Sequence, residues 1–415
     1  MLRRLSVMMV TTAAFAICAS ASQPAAADNN HDKHWVATWS AALHAPGLGP
    51  PGFTNGGFDN RTLRQIVHTS VGGDKVRIRF STFGAGELLI GAARVAPGDN
   101  GAAIVPDSDR PLTFGGLTTI RVPAGAIAVS DPVDLAIPAL SDLAVSMFVP
   151  GLTGPATWHF VAEQTSYVSP AGDFTTAIDM PAESTRSAWF WLAGVDVLVP
   201  KQTGAIVAFG DSVTDGVGST PNTNNRWPDH LARRVMTGPG NHMMGIVNAG
   251  LTGNRLLRDI LGTNGPARFD RDVLTQPGVT HLIVLLGNND IIRGQLNPAD
   301  AVTTEQIIQE HQMLIERAHL RGLKIYGATL TPFKGVLPET LFPAAEAQRQ
   351  AVNRWIRTSG AYDAVIDFDL AVRAENDPAQ LKELLRADLL HPNKDGYAAM
   401  ANSIDLDLFK KGDGH

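Results

Sequence analysis

An all-β sandwich or jelly roll followed by a doubly wound parallel α/β sheet is the fold class the sequence predicts, and three observations predict it. Short segments of alternating apolar and polar residues fill positions 34–200. Continuous apolar runs separated by helical stretches fill the chain after Gly204. The change of period falls near residue 200, with no internal repeat and no low-complexity linker.

At 415 residues the chain exceeds one typical globular domain. Hydrophobic residues make up 44% and charged residues 18%, an ordinary balance for a protein that buries a core. A net charge of −6 gives no reason to expect nucleic acid or an anionic membrane as partner. Arg3 and Arg4 lead into an acid-free apolar run, Leu5 to Ala19, followed by small residues. That is the pattern of a signal peptide, with Ala25-Ala26-Ala27 or Ala19-Ser20-Ala21 as cleavage site. The run is shorter than the ~20 residues a membrane span needs. Ile17 is also the wrong size for the position before a lipoprotein cysteine at Cys18. The expected plan is a signal peptide over 1–27, a β-sandwich domain over 28–200 and an α/β domain over 201–415, in an exported (periplasmic or secreted) protein. Cys18 is the one cysteine, so the mature chain is expected to have no disulfide, thiolate nucleophile or Cys-ligated metal. No later stretch is long and apolar enough to span a bilayer.

In the first part, β-like segments are read at Lys75–Phe80, Leu88–Val95, Thr118–Val122, Asp142–Val149, Trp158–Val161 and Trp189–Leu192. Turn signals such as Gly72-Gly73, Pro97-Gly98 and Pro150-Gly151 separate them, and no useful helical period appears. In the second part, Ala205–Phe209, Gly245–Ala249, His281–Leu286, Lys324–Leu330 and Ala364–Phe368 read as strands covered on both faces. Helices are expected over Pro228–Met236, Thr303–Arg321, Ala344–Ser359 and Lys394–Leu408, with Thr303-Thr304-Glu305-Gln306 as a capping box. Strand–helix alternation implies a parallel sheet.

Reactive groups of an open parallel sheet collect beyond the carboxyl ends of its strands. There the chain places Gly210-Asp211-Ser212-Val213-Thr214-Asp215-Gly216, Asn248-Ala249-Gly250 and Gly287-Asn288-Asn289-Asp290, with Asp388-Leu389-Leu390-His391 before the last helix. Singly, a serine caps a helix, a glycine permits a turn and Asn289 makes an Asx-turn; the set, in this order at strand ends, carries the weight. Together the four blocks resemble the SGNH (GDSL-type) hydrolase family over about 204–410, with Val213 replacing the usual leucine. The first part resembles, less specifically, a non-catalytic β domain upstream of some bacterial members, including its Trp35-Val-Ala-Thr-Trp39 start.

The resemblance implies a flavodoxin-like sheet and carboxylic ester hydrolysis. Ser212 is then the nucleophile, His391 the base that takes its proton, and Asp388 the group that orients the imidazole. The N–H groups of Ser212 and Gly250 and the side-chain amide of Asn289 are expected to form the oxyanion hole. Asp211, Trp227 and Arg255 are pocket candidates; Asp211 and Asp290 more readily orient their loops. Gly-x-Ser-x-Gly, His-Glu-x-x-His, Walker and dinucleotide patterns are absent, so no metal and no cofactor is expected. The expected substrate is a small-molecule or polysaccharide-borne ester, of short or acetyl acyl chain because no long apolar lid-like segment occurs. Trp158, Trp189 and Trp191 read as sandwich core more readily than as a sugar platform. A lipase-like or acyl-transferring enzyme, and a carbohydrate-binding protein with an inert hydrolase part, are the alternatives. Oligomeric state is open.

Overall fold

Residues 32–49, 55–238 and 243–410 are described by the computed structural model. The expected signal peptide and Cys18 lie outside the described residues.

Two antiparallel sheets build the first part. One runs in the order Ser184–Arg186, Ser166–Ala171, Arg61–His68, Asp142–Val149, Ala92–Pro97, Arg110–Pro111. The other places Lys33–Ser40, Leu192–Pro200 and Gly73–Ser81 side by side, the last pairing with both Ile127–Val129 and Val133–Ile137. Alternate residues point inward, as the period of two requires. Leu63 and Val67 meet Leu143, Val145 and Met147 from one sheet, and Val76, Ile78, Phe80 and Val195 from the other, in one apolar cluster. Trp158, Trp189 and Trp191 belong to that cluster and are at most 6% exposed, so they form sandwich core and no sugar platform.

The strand Arg61–His68 is not evident in the sequence, because buried Arg64 and Gln65 break its apolar alternation. Arg64 is held by Ser146 Oγ (2.8 Å) and by carbonyl oxygens that include those of Ala102 (2.6 Å) and Ala177 (2.7 Å). Two expected strands are interrupted. Leu88–Ile90 and Ala92–Pro97 are separated at Gly91, and Trp189–Phe190 is separated from Leu192–Pro200 by Trp191, whose φ is 53°.

After Lys201–Gly204 the chain enters a five-stranded parallel sheet in the order Gly245–Gly250, Ala205–Gly210, Val279–Leu285, Lys324–Ala328, Ala364–Ile366. Numbered along the chain these parallel strands run 2-1-3-4-5, the flavodoxin-like order, whose switch point lies between the first and third. Ala205–Gly210 is buried along its length, which explains its unbroken apolar run. Helices cover the sheet at Trp227–Thr237, Thr304–His319, Phe342–Thr358 and Lys394–Asn402. The capping box forms: Gln306 N–H donates to Thr303 Oγ1 (3.2 Å) and Thr303 N–H to Gln306 Oε1 (2.9 Å). The last helix stops at Asn402 rather than Leu408, and Asp405 caps a separate 3-10 turn over Leu406–Phe409. Asn288–Leu296 forms a helix the sequence reading leaves as a loop.

The edge strand Gly245–Gly250 does not face solvent; it is covered by the β part. Ile246 N–H donates to Ser70 Oγ (2.8 Å), which donates in turn to the Thr38 carbonyl (2.6 Å). Ala37 N–H donates to the Pro277 carbonyl (2.9 Å). A Cβ at Gly245 would lie 2.2 Å from the Ala37 oxygen, so the two backbones meet with no room for a side chain. Ser70→Ala would leave the buried Ile246 N–H without its acceptor. The expected loss is about 1–3 kcal/mol of stability, read as a lower urea midpoint at unchanged slope.

Candidate active site

Ala205–Gly210 delivers Ser212 to the carboxyl end of the sheet. Gly210 is required there: a Cβ would stand 2.2 Å from Thr214 Oγ1 and 2.6 Å from the Leu285 carbonyl. Asp211 caps the short helix Ser212–Asp215 by accepting the Val213 N–H at 3.0 Å, and Gly216, at φ 108°, ends it. Asp211 is thus an orienting residue of the nucleophile loop, 3% exposed, and lines no pocket through an open face.

Ser212 Oγ lies 2.9 Å from His391 Nε2 and donates to it. His391 Nδ1 donates to Asp388 Oδ2 at 2.8 Å, while Asp388 Oδ1 accepts the N–H groups of Leu390 and His391 at 2.7 Å each. Burial alone would raise the Asp388 pKa. The ring and N–H of His391 and the N–H of Leu390 outweigh it and hold the carboxyl below the usual range. Asp388 is therefore ionised whenever His391 is neutral, and fixes the tautomer with its free lone pair toward Ser212. The structure brings these three side chains together as the sequence expects.

The oxyanion donors require one correction. Gly250 N–H is taken by Asn248 Oδ1 at 2.8 Å, so it is not available to a substrate. Gly250 is glycine for packing: a Cβ there would lie 2.2 Å from the Asp215 nitrogen and 2.6 Å from its Cα. Three residues on, Gly253 adopts φ 74° in a loop pinned on both sides. Thr252 N–H and Oγ1 donate to Asp215 Oδ2 (2.9 and 2.5 Å), and the Asn254 carbonyl accepts Asn289 Nδ2 (3.1 Å). Among the described residues no hydrogen-bond partner is found for the N–H of Gly253 or of Ser212, the latter an orphan donor at a helix start. The Gly-Asn pair at 253–254 was visible in the sequence, but a backbone donor carries no side-chain signature.

Asn289 Nδ2 also faces Asp211 Oδ2 at 3.4 Å, so the first and third blocks meet through this amide. Asp290 turns away from Ser212 and accepts the N–H groups of Leu256 (2.7 Å) and Leu257 (3.0 Å), ordering the loop after Asn254. Arg255 is neither pocket nor surface. It is 1% exposed, between Asp290 (3.8 Å) and Asp300 (3.5 Å). Trp227 is fully buried, its ring centroid 5.3 Å from that of Phe368, and lines no pocket. Arg268 escapes the sequence reading. Buried, it donates to the carbonyls of Gly210 and Ala249 (2.8 Å each) and to Asn254 Oδ1 (2.9 Å), tying two strand ends to the Gly253 loop. Among the described residues no group of three or more His, Cys, Asp or Glu is placed to hold a metal ion.

Two outcomes follow from these geometries. Asp388→Asn keeps the shape but loses the charge, and kcat should fall about 10²–10⁴-fold with KM little changed, in steady-state ester hydrolysis. Burial is the largest cause that pushes Asp211 up to about 7. A carboxyl whose folded pKa is raised contributes stability that is complete below its unfolded pKa and lost as pH rises through the folded one. Asp211→Asn should therefore gain stability relative to the wild type between pH ~4 and ~7, measured by urea unfolding across that window; a constant difference would contradict this.

Residues 208–399 match the GDSL-like lipase/acylhydrolase family. Among solved structures, the chain is similar to a GDSL-like lipase from Bacteroides thetaiotaomicron VPI-5482 (18% identity, 49% of this chain and 85% of that one, TM-score 0.36). It is similar also to a carbohydrate acetylesterase from Sinorhizobium meliloti (14% identity, 48% and 95%, TM-score 0.37). A third similar structure is an acetylxylan esterase from Geobacillus stearothermophilus (17% identity, 50% and 94%, TM-score 0.39). No curated protein matches the chain. The α/β part is thus a GDSL-like lipase/acylhydrolase domain, and the chain that carries it is a carboxylic ester hydrolase.

Proposed function

We propose that the chain is an exported serine esterase that cleaves short-chain or acetyl esters through a Ser212–His391–Asp388 triad and an acyl-enzyme. The observation that carries this reading is the unbroken chain from Ser212 Oγ through His391 to Asp388, with links of 2.9 and 2.8 Å. Ser212 Oγ attacks the ester carbonyl carbon as its proton passes to His391 Nε2. The tetrahedral oxyanion is met by the N–H groups of Ser212 and Gly253 and by Asn289 Nδ2, which exchanges its long 3.4 Å contact to Asp211 for it, each such donor worth roughly 10²–10³ in rate. The imidazolium returns its proton to the leaving alcohol, and water then repeats the sequence on the acyl-Ser212 ester. Asp388 stabilises the imidazolium throughout. The polar Asn289 amide beside the nucleophile loop supports a short acyl group. Residues 1–27 support export.

A lipase-like reading has one observation in its favour. The loop that carries His391 exposes Leu384 (85%) and Leu389 (41%), an apolar lip for a longer chain. A series of p-nitrophenyl esters from acetate to palmitate separates the two. The short-acyl reading predicts a maximum of kcat/KM at acetate or butyrate, and a maximum at long chains would assign the lip to acyl binding. Ser212→Ala should lose at least about 10³-fold in kcat; turnover at the wild-type rate would rule out the mechanism.

A further inference from the structure

We propose that His159, a residue of the β part, is a positioning residue for ester hydrolysis, holding through Asp215 the loop that carries the Gly253 N–H. The inference rests on the reading of Gly253 as an oxyanion donor.

His159 ends the short strand Trp158–His159, and its side chain is 3% exposed. Its ring meets acceptors on every side. Nδ1 lies 2.7 Å from the Ala42 carbonyl, and Nε2 lies 2.8 Å from Asp215 Oδ1 and 3.1 Å from the Val161 carbonyl. A carbonyl oxygen cannot donate, so both ring nitrogens must. The ring is then an imidazolium, and Asp215 supplies the answering charge. Burial alone would lower the His159 pKa, but the Asp215 carboxylate beside it reverses the direction and raises it.

Asp215 spends its other oxygen on the catalytic machinery. Oδ2 accepts both the N–H and the Oγ1 of Thr252, the residue before Gly253. Asp215 itself lies one helical turn after Ser212, in the same short helix. One carboxylate therefore sets the distance between the nucleophile helix and the Gly253 loop, and the β part fixes where that carboxylate points. The same strand end holds the helix from a second side, since Arg226 donates to the Ala162 carbonyl while its side chain packs over Gly216. A buried ion pair contributes little net stability over an apolar pair of like size, so geometry is what this one secures.

The test compares the full chain with His159→Gln, Thr252→Val, the double variant and Ser212→Ala, on p-nitrophenyl acetate. For the proteins that keep Ser212, kcat is expressed per serine labelled by diethyl p-nitrophenyl phosphate, which corrects for any unfolded fraction, and Ser212→Ala is compared per mole of protein. His159→Gln and Thr252→Val should each lose about 10–100-fold in kcat with KM within about twofold; Thr252→Val should melt close to wild type, whereas His159→Gln, which leaves buried Asp215 without its countercharge, should melt lower. Since both act on one link, the double variant should be no worse than the weaker single by more than about twofold. Thr252→Val leaves the His159–Asp215 pair intact, so its loss of kcat is expected even where His159→Gln folds poorly. Unchanged kcat per labelled serine in Thr252→Val, or losses that multiply in the double variant, would overturn the inference alone if Ser212→Ala is inactive. Turnover in Ser212→Ala would overturn the reading of the site and this inference with it.

Discussion

The carboxylate of Asp215 is the constraint around which the active site is arranged. Burying it removes its hydration, a cost that only several well-placed donors offset. The imidazolium of His159 and the N–H and hydroxyl of Thr252 supply them, and the two residues come from different segments. Satisfying that one group brings together the nucleophile helix, the loop after Gly250 and the β part. The glycines follow from the same crowding. Gly250 lies against the Asp215 backbone, and Gly210 against Thr214 and Leu285, at distances that admit no Cβ.

Seen this way, the β part shapes the α/β part. It covers the edge strand through Ser70 and meets it at Gly245 with backbone against backbone. Trp158, Trp189 and Trp191, which would serve a sugar-binding module if exposed, are committed to its own core. Across the junction it offers polar groups, Ser70, His159 and the carbonyls of Ala37 and Ala162, beside apolar ones, since Val36, Val71, Val197 and Val199 cluster with Ala205.

Much of this was legible in the residues, and the reasons for the rest are physical. Ser212, His391, Asp388 and Asn289 stood out because the blocks that hold them, at strand ends and before the last helix, together resemble the SGNH family, and the structure brings them together around Ser212. The parallel strands were legible because burial on both faces leaves an unbroken apolar run. Arg61–His68 was hidden, because Arg64 is buried on carbonyl oxygens and interrupts the alternation. Trp227 and Arg255 were misplaced as pocket residues, since proximity to Ser212 in sequence says nothing of which side of the sheet a side chain packs. The sequence points to Gly250 and not to Gly253, since the two glycines follow one strand and only the hydrogen bond from Gly250 N–H to Asn248 separates their roles. The His159–Asp215 pair joins residues 56 apart in different parts, which no local pattern encodes.

The most direct measurement is a crystal structure of the protein labelled with diethyl p-nitrophenyl phosphate. The phosphoryl group should be bonded to Ser212 Oγ, with its oxygen within about 3 Å of the N–H groups of Ser212 and Gly253 and of Asn289 Nδ2. A label on another residue, or a phosphoryl oxygen turned toward Gly250 with Gly253 out of reach, would contradict the account.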